Sequence, residues 1–497
     1  MSPYGGKRRW ATVALIAGSL LPGCSAPEDA NLPPTQSPAS VSDTPSPATT
    51  PSSNYDWTTF GFDLERSGID PSEVLLDVES APTLEVAWST ALGGAVTAPP
   101  VVAGDVDVGG ESVSLVLVGT AEGDFFAFDA IDGHVVWQRH VGSVGTDCEE
   151  FPQGTHGVTG SAVLDLAAGL VHVAGGTGKV FALDIATGAV AHGWPVSVTR
   201  HPELEHVFGA LTLAGRLLYV TMAGVCDTPP FKGKVIAIDV RTARRIATFY
   251  PTGQDGPSGG GIWGAGGASV DPVTDDVFVA TGNAVADPEH YGFGEAVVRL
   301  SRRLKVRSAN YPGVTGVDSD FGATPTLYRA PGCPPQLAVV NKDGELFIYR
   351  RDAIGAGPAQ RLQIADAAVQ QLQGVPAYSP ATRLLYVMNP SDSSDGTYRH
   401  GLLAFAVRPN CMIRLAWQRT VGRNNLIGSP PIVAGGVVYI AMAWDQRVYG
   451  FDSVTGEALW NSGEAIRGAV FAPPVVANGR LFQGSWDGHV YAFEPSE

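Results

Sequence analysis

The stretch with the clearest capacity for chemistry runs from Gly259 to Asn283, where six glycines surround Trp263. Glycine has no Cβ, so a glycine-rich backbone lets a flat ligand approach closely. An indole ring offers a large face on which such a ligand can stack. The stretch therefore predicts a site for a planar molecule. The alternative is close packing of the chain around Trp263.

The sequence argues against several other kinds of site. It contains no Walker, HExxH or GxSxG motif, and its five cysteines form no CxxC pattern. Phosphate cradling, zinc ligation and serine-nucleophile chemistry are therefore not indicated by motif. The net charge of −17 argues against nucleic-acid binding and against electrostatic docking on anionic lipid.

The elements that must position Trp263 are short strands. The unit from Pro430 to Trp460 contains four short apolar or alternating runs, separated by turns that are rich in Gly, Asp and Thr. This pattern predicts an antiparallel meander of four strands. Such a sheet cannot bury its apolar faces alone, so further copies must pack against it.

Copies of this unit recur along the chain as a strand ending in or near Ala-x-Asp, a turn ending in Gly, and a Trp, with weaker forms in places. They are centred on Ala127–Asp129, Ala182–Asp184, Ala237–Asp239, Val298, Phe347–Tyr349, Ala404–Phe405, Phe451–Asp452 and Ala492–Phe493. Eight units at a spacing of roughly 40–60 residues predict a propeller. The predicted fold class is all-β, an eight-bladed β-propeller of four-stranded antiparallel blades.

The two ends of the repeat array complete each other. The last unit stops after Phe493 without a Trp strand, and an unassigned Trp strand, Leu84 to Trp88, lies near the start. We expect this N-terminal strand to close the last blade, because closure leaves only short, protected sheet edges. Residues 57–497 are thus predicted to form one propeller domain.

The N-terminal region has the features of an export signal. Residues 7–9 are basic, residues 10–21 are apolar but too few for a typical membrane span, and Leu-Pro-Gly-Cys at 21–24 resembles the lipobox of bacterial lipoproteins. The resemblance implies a signal peptide over 1–23 and lipid attachment at Cys24. An ordinary secretory signal is the alternative.

The segment 24–56 is rich in Pro, Ser and Thr and predicts a disordered tether. Together with a lipidated Cys24, it implies an extracytoplasmic protein that is held at the cell membrane by its N-terminal lipid alone.

Four cysteines remain if Cys24 carries lipid: Cys148, Cys226, Cys333 and Cys411. An even number in an exported protein predicts disulfides. We expect the pairs Cys148–Cys226 and Cys333–Cys411, since both join neighbouring blades, whereas the other pairings must cross the ring.

The repeats and the opening D-W-T-T-F-G at residues 56–61, followed by Asp63, Arg66 and Gly68, resemble a known family. It comprises the eight-bladed quinoprotein dehydrogenases that bind pyrroloquinoline quinone (PQQ), including members like polyvinyl alcohol dehydrogenase. The resemblance covers residues 56–497. It implies PQQ and calcium as cofactors and a small-molecule alcohol or polyol as substrate. Cofactor-free scaffold proteins of outer-membrane assembly share the same repeats.

The resemblance also implies roles for four residues. Trp263, in G-G-x-W-G, would form the floor under the quinone, and Asn283, in T-G-N, would bind calcium. Asp320, in D-S-D-F-G, would be the catalytic base that takes the alcohol proton. Lys342, in N-K-D-G, would contact the quinone oxygens. The alternatives are turn residues for Asn283 and Asp320 and a solvated hairpin residue for Lys342.

The sequence departs from the family in three places. The calcium-binding Glu is expected near residues 225–228, where only Asp227 offers a carboxylate. Asp227 is therefore the second candidate metal ligand, with an exposed loop acid as the alternative. A family Arg is replaced by His156, and the adjacent cysteine pair near the quinone is reduced to Cys148.

Two main functions stay open on the sequence. The first is an exported, lipid-anchored PQQ-dependent dehydrogenase. The second is a cofactor-free propeller of the cell envelope that binds an envelope protein partner as a scaffold, or binds a ligand. A structural calcium-binding propeller is a third.

Overall fold

The computed structural model describes residues 56–148, 151, 153–286, 288, 290–313, 318–369 and 374–496. The predicted signal peptide, the lipidation site at Cys24 and the tether up to residue 55 lie outside the described residues. The helices within these ranges, Ala81–Thr83 and Ile354–Ala356, are single 3-10 turns. No described helix has the length and hydropathy needed to cross a membrane.

The described chain forms eight antiparallel blades of four strands, which confirms the predicted propeller. Blade 1 contains Val101–Val108, Glu111–Gly119, Asp124–Asp129 and Val135–His140. Blade 2 contains Val163–Asp165, Leu170–Gly175, Lys179–Asp184 and Val196–Ser197. Blade 3 contains Thr212–Ala214, Leu217–Gly224, Lys234–Asp239 and Arg244–Phe249, with Glu205–His206 added beside its second strand. Blade 4 contains Ser269–Val270, Val277–Ala280, Val297–Leu300 and Val306–Asn310.

The remaining blades follow the same order, with the innermost strand first. Blade 5 contains Thr326–Tyr328, Gln336–Val340, Glu345–Arg350 and Gln360–Gln363. Blade 6 contains Ala377–Ser379, Leu384–Asn389, Gly401–Val407 and Ile413–Arg419. Blade 7 contains Ile432–Ala434, Val437–Met442, Arg447–Asp452 and Ala458–Asn461, with Ile69–Asp70 parallel to its first strand. Blade 8 contains Val475–Ala477, Arg480–Gly484 and His489–Pro495, and Leu84–Ala91 is its fourth strand. Outside the blades, the short strands Val144–Gly145 and Thr155–His156 pair with each other.

The Trp and Gly of the repeat signature meet between neighbouring blades. The indole of one blade lies so close to the turn glycine of the next blade that a Cβ on that glycine would come within 2.4–2.6 Å of the ring. Glycine is therefore required at the turn, both for this contact and for its positive φ. The pairs are Trp88 on Gly133, Trp137 on Gly188 and Trp417 on Gly456.

The N-terminal strand closes the ring as predicted. Leu84–Ala91 pairs along the last strand, His489–Pro495, with a register shift before Trp88. The Trp88 side chain is buried, and its Nε1 donates a hydrogen bond to the carbonyl of Ala130 in blade 1 at 3.2 Å. This indole therefore joins the last blade to the first.

Residues 57–73, here called the plug, cross one end of the central channel. The plug is hydrogen-bonded to every blade, and in most cases a backbone N–H of the innermost strand donates to a carbonyl of the plug. The partners are Val102, Leu164, Leu211, Val270, Leu327, Tyr378, Val433 and Gly479 for blades 1 to 8. The plug thus closes this end of the channel and ties the inner strands together.

Arg66 holds the centre of the plug. Its side chain is fully buried, and its backbone has φ of 59°. The guanidinium donates to the carbonyl of Phe60 at 2.9 Å, to Thr59 Oγ1 at 2.7 Å and to the carbonyl of Gly266 in blade 4 at 2.9 Å. Burial lowers the pKa of Arg66 to about 10, against the opposing charge of Asp63. The side chain therefore stays charged and saturated with acceptors.

Both predicted disulfides are present. Cys148–Cys226 and Cys333–Cys411 have Cα–Cα distances of 5.8 Å and 5.5 Å. Each closes a sequence separation of 78 residues and restricts the unfolded chain.

Candidate functional site

Three of the predicted site residues meet at the end of the channel opposite the plug, here called the mouth. Trp263 Nε1 donates a hydrogen bond to Asp320 Oδ2 at 2.9 Å. Lys342 Nζ lies 3.1 Å from Asp320 Oδ1 and 5.2 Å from the centre of the Trp263 ring. Residues from two blades and far apart in sequence therefore form one contact cluster.

The backbone fixes this cluster. Trp263 and Asp320 each precede the innermost strand of their blade, and Lys342 lies on the turn between the second and third strands of blade 5. The Lys342 N–H donates to the Asp320 carbonyl at 2.9 Å. Because inner strands run from these positions toward the plug, the three side chains lie at the mouth.

Two glycines provide the space that the side chains of the cluster occupy. A Cβ on Gly322 would lie 2.4 Å from the Trp263 ring, and a Cβ on Gly282 would lie 2.8 Å from Asp320 Oδ2. Any other residue at either position would displace the indole or the carboxylate. Beneath Trp263, a Cβ on Gly266 would come 3.2 Å from the plug residue Phe60, so the plug supports this part of the chain from below.

Burial governs the charge of Asp320. Its side chain is 4% exposed, and burial raises its pKa to about 6. The positive charge of Lys342 lowers this pKa, as does the hydrogen bond from Trp263, whereas the negative charge of Asp318 raises it further. Asp320 Oδ1 is buried, and its contact is the ion pair with Lys342 Nζ at 3.1 Å. A carboxylate with this pKa is suited to take up a proton near neutral pH.

Lys342 bridges two carboxylates, one of which the sequence analysis did not assign. Its Nζ lies 2.8 Å and 2.9 Å from the two oxygens of Asp318. Burial lowers the pKa of Lys342, but the charges of Asp320 and Asp318 outweigh burial, so the pKa is raised. Asp318 is half-exposed. The lysine is therefore charged and held in place from both sides.

The two predicted calcium ligands lie nearby without forming a complete site. Asn283 follows Gly282 and is half-buried, and its side-chain amide makes no hydrogen bond to the described residues. Asp227 is an exposed residue, but desolvation raises its pKa, with Lys342 opposing and Asp318 adding to the shift. Calcium takes six to eight oxygen ligands. With Asp320, these side chains offer too few.

Among the residues that the structure describes, other acidic side chains do not complete the calcium site. Glu205 is buried in blade 3, but its carboxylate is held by Lys234 Nζ at 2.5 Å and by the Lys232 N–H at 3.0 Å. A described group of three potential metal ligands, Asp129, Asp132 and His134, lies on the plug side of blade 1. The described side chains therefore do not make up a complete calcium site at the mouth.

A buried imidazole pair beside the Cys148–Cys226 bridge was not foreseen as a pair. The His156 and His206 ring centres are 5.6 Å apart, and both rings pack against Phe151 at 5.3 Å. Burial lowers both pKa values, that of His206 to about 3. Both rings are thus neutral in this environment. Of the two histidines, only His156 was singled out from the sequence, as the residue that replaces an Arg of the family.

The residues at the mouth fit a flat quinone better than they fit a metal. Trp263 presents a half-buried ring, Asp320 has a buried carboxylate oxygen beside Lys342, and Lys342 supplies a cation that is held in place. Such a set offers stacking, a proton acceptor and a partner for a carbonyl oxygen.

Comparison with known proteins agrees with the fold and the repeats. The family model for PQQ repeats, described as outer membrane protein assembly factor BamB, matches residues 78–283 and 414–497, more than half of the chain. The chain belongs to this PQQ-repeat family. The matched segments contain blades 1 to 3, the first two strands of blade 4, and blades 7 and 8, so they include Trp263 and Asn283 but neither Asp320 nor Lys342.

Individual PQQ-repeat proteins resemble the chain at low identity. A polyvinylalcohol dehydrogenase from a Pseudomonas species is 22% identical over 89% of this chain and 66% of its own length. The chain therefore spans slightly less than two thirds of that relative. Quinohemoprotein alcohol dehydrogenase from Comamonas testosteroni superposes with a TM-score of 0.65 at 18% identity, covering 89% of this chain and 81% of the other.

The fold is shared with a protein of another kind as well. BamB from Moraxella catarrhalis superposes with a TM-score of 0.53 at 15% identity, covering 83% of this chain and 99% of its own. At such identities the superpositions show the fold and leave function to the site residues.

Proposed function

We propose that this PQQ-repeat propeller is a PQQ-dependent dehydrogenase that oxidises an alcohol or polyol. The observation that carries the proposal is the buried Asp320, whose pKa is raised to about 6, in contact with both Trp263 and Lys342. The resemblance of the chain to a polyvinylalcohol dehydrogenase supports a substrate with secondary alcohols along a hydroxylated chain.

PQQ, when bound, supplies a quinone that accepts the hydride equivalent from the alcohol carbon. Trp263 would hold the flat ring by stacking, with the plug beneath it closing the channel to water from that side. Lys342 would lie beside a carbonyl oxygen and stabilise negative charge on it.

Asp320 performs the proton step. Its ionised carboxylate takes the hydroxyl proton of the alcohol at Oδ1, while the Trp263 N–H holds Oδ2 in a fixed orientation. With a pKa of about 6, Asp320 is mostly ionised at neutral pH and still basic enough to accept a proton. The rate should therefore rise as pH increases through about 6.

The activity test measures dye reduction by purified protein loaded with PQQ, with 2-propanol as substrate. Asp320→Asn should lower kcat by at least about 100-fold, the usual contribution of a general base. Asp352→Asn, an exposed acid on the same blade paired with Arg350, is the matched control and should leave the rate unchanged. Equal rates in Asp320→Asn and the wild type would show that Asp320 is not the catalytic base.

A cofactor-free scaffold or ligand-binding propeller is the second candidate. The incomplete calcium set favours it, and so does the pairing of Lys342 with Asp318 and Asp320, which satisfies the site internally. In this case the protein would take up no PQQ, and an envelope protein or a small ligand would be its partner. Failure to bind PQQ at micromolar concentration would favour this candidate.

The place of action is part of the proposal. A basic and apolar leader followed by Leu-Pro-Gly-Cys supports export and lipid attachment at Cys24. The mature protein would be anchored outside the cytoplasm by that lipid. Mass spectrometry of the mature N-terminus tests this, and an unmodified chain that begins elsewhere would contradict it.

A further inference from the structure

The mouth also carries an aromatic cluster, on blades 7 and 8. Trp444, on blade 7, lies edge-on to Phe471 at 5.4 Å and to Trp486 at 5.9 Å. Phe471 and Trp486 are 4.4 Å apart with ring planes at 34°. Trp444 is 51% exposed, so a large aromatic surface is open to solvent. These three residues are here called the aromatic platform.

Backbone hydrogen bonds place the platform on the same rim as Lys342. The Lys342 N–H donates to the Asp320 carbonyl, and in blade 8 the Trp486 N–H donates in the same way to the Ala469 carbonyl, both at 2.9 Å. Trp486 thus occupies in blade 8 the position that Lys342 occupies in blade 5. Ala469, correspondingly, stands where Asp320 does.

A second backbone bond places Trp444 in the same way. The Val470 N–H donates to the Ala443 carbonyl at 3.1 Å, and the Phe321 N–H donates to the Thr281 carbonyl at 3.3 Å. Trp444, directly after Ala443, therefore stands in blade 7 where Gly282 stands in blade 4. The platform and the Asp320 cluster thus face the same opening from different blades.

One polar atom in the platform lacks a partner. Trp486 Nε1 is buried and has no hydrogen-bond partner in the described parts of the chain. Buried indole N–H groups normally donate to an acceptor. The Trp486 N–H is therefore left as a donor that a ligand oxygen could satisfy.

We propose that the aromatic platform binds the remote part of an extended, uncharged hydroxylated chain whose reacting carbinol lies at Asp320. The inference rests on the proposed function, and it adds the requirement that the substrate is long. Blades 5 and 8 are three positions apart, so a ligand that touches both must cross the mouth. The aromatic faces bury the C–H groups of such a chain, and the Trp486 N–H donates a hydrogen bond to the oxygen of one of its hydroxyls. The absence of charge on the three platform side chains suits a neutral ligand.

Calorimetric titration of the protein without PQQ tests the platform directly, with short vinyl alcohol oligomers as the probe. Trp444→Ala should weaken oligomer binding by about tenfold, a typical loss for an aromatic contact. Trp486→Phe, which keeps the ring and removes the N–H, should weaken it several-fold. Val454→Ala is the control, because Val454 is 62% exposed on the plug side of blade 7, and it should bind as the wild type does.

Turnover by the PQQ-loaded protein gives a second readout. The loss in kcat/KM for Trp444→Ala should be larger for oligomers than for 2-propanol, which is too short to reach the platform. Equal oligomer affinities in the wild type and both Trp variants, or no oligomer binding by the wild type, would overturn the inference. If oligomers bind through the platform but PQQ does not bind, the result would support the platform as a binding site and contradict the proposed dehydrogenase function.

Discussion

Replacing Asp320 by Asn should make the protein more stable at neutral pH while it removes the proposed base. Burial raises the pKa of Asp320 from 3.8 to about 6, so the folded state disfavours the ionised carboxyl. At about 1.4 kcal/mol for each pKa unit, ionisation costs the native state roughly 3 kcal/mol. Asn resembles the protonated acid, and its Oδ1 can still accept the hydrogen bond from Trp263.

The sign of the effect follows from proton linkage. Between pH 3.8 and about 6 the folded state binds more protons than the unfolded state at Asp320, so wild-type stability falls across this window as pH rises. Below it, both states are protonated, and the variant has no advantage. The Asn variant should therefore gain stability progressively as pH rises through the window and keep the full gain above pH 6.

Urea unfolding of both proteins at pH 4 and pH 8 measures this difference. We expect a gain of about 1–3 kcal/mol for Asp320→Asn at pH 8 and little difference at pH 4. Asp352→Asn, which removes an exposed acid, should change stability by less than about 1 kcal/mol at either pH. An Asp320→Asn variant that is less stable than the wild type by a similar amount at both pH values would refute the argument.

Further predictions concern the fold, and all are read from urea or thermal unfolding. Arg66→Met should lower the free energy of unfolding by about 3–5 kcal/mol, because it leaves several buried acceptors of the plug without a donor. Arg350→Met, on the surface, is the control and should have little effect, and similar losses in both variants would contradict the central role of Arg66. Trp88→Ala should cost about 3–5 kcal/mol by opening the junction of the last and first blades, and an unchanged midpoint would show that closure depends on other contacts. Replacing Cys333 and Cys411 by Ser should cost up to about 4 kcal/mol, and no loss would mean that this bridge does not restrain the unfolded chain.

The fold could be predicted because its signals are local and repeated. The Trp and the turn Gly recur with each strong copy, and the structure shows that they touch across blades, as Trp137 and Gly188 do. Closure by Leu84–Ala91 followed from a missing strand at one end and a spare strand at the other. The central role of Arg66 could not be predicted, because it depends on carbonyls contributed by two distant blades, those of Leu211 and Gly266.

The candidate site was predicted only in part. The resemblance picked out Trp263, Asp320 and Lys342, which the structure brings into contact. Asp318 was overlooked as a partner of Lys342, because an acid in a loop gives no signal until its geometry is known. The platform was also missed, since the equivalence of Trp486 to Lys342 appears only in backbone hydrogen bonds. The roles of Asn283 and Asp227 as metal ligands stay predictions.

The measurement that tests the central claim most directly is the titration of purified protein with PQQ, followed by quenching of tryptophan fluorescence and by quinone absorbance. We predict saturable uptake of one equivalent by the wild type. Gly322→Ala should weaken it by at least about tenfold, because the added Cβ would lie 2.4 Å from the Trp263 ring and displace the stacking face. Gly355→Ala, in the 3-10 turn Ile354–Ala356 of blade 5, is the control and should bind PQQ as the wild type does, because a Cβ there would meet only the Ala309 carbonyl at 3.9 Å. No saturable uptake by the wild type, or equal affinity in Gly322→Ala, would contradict a quinone site at the mouth.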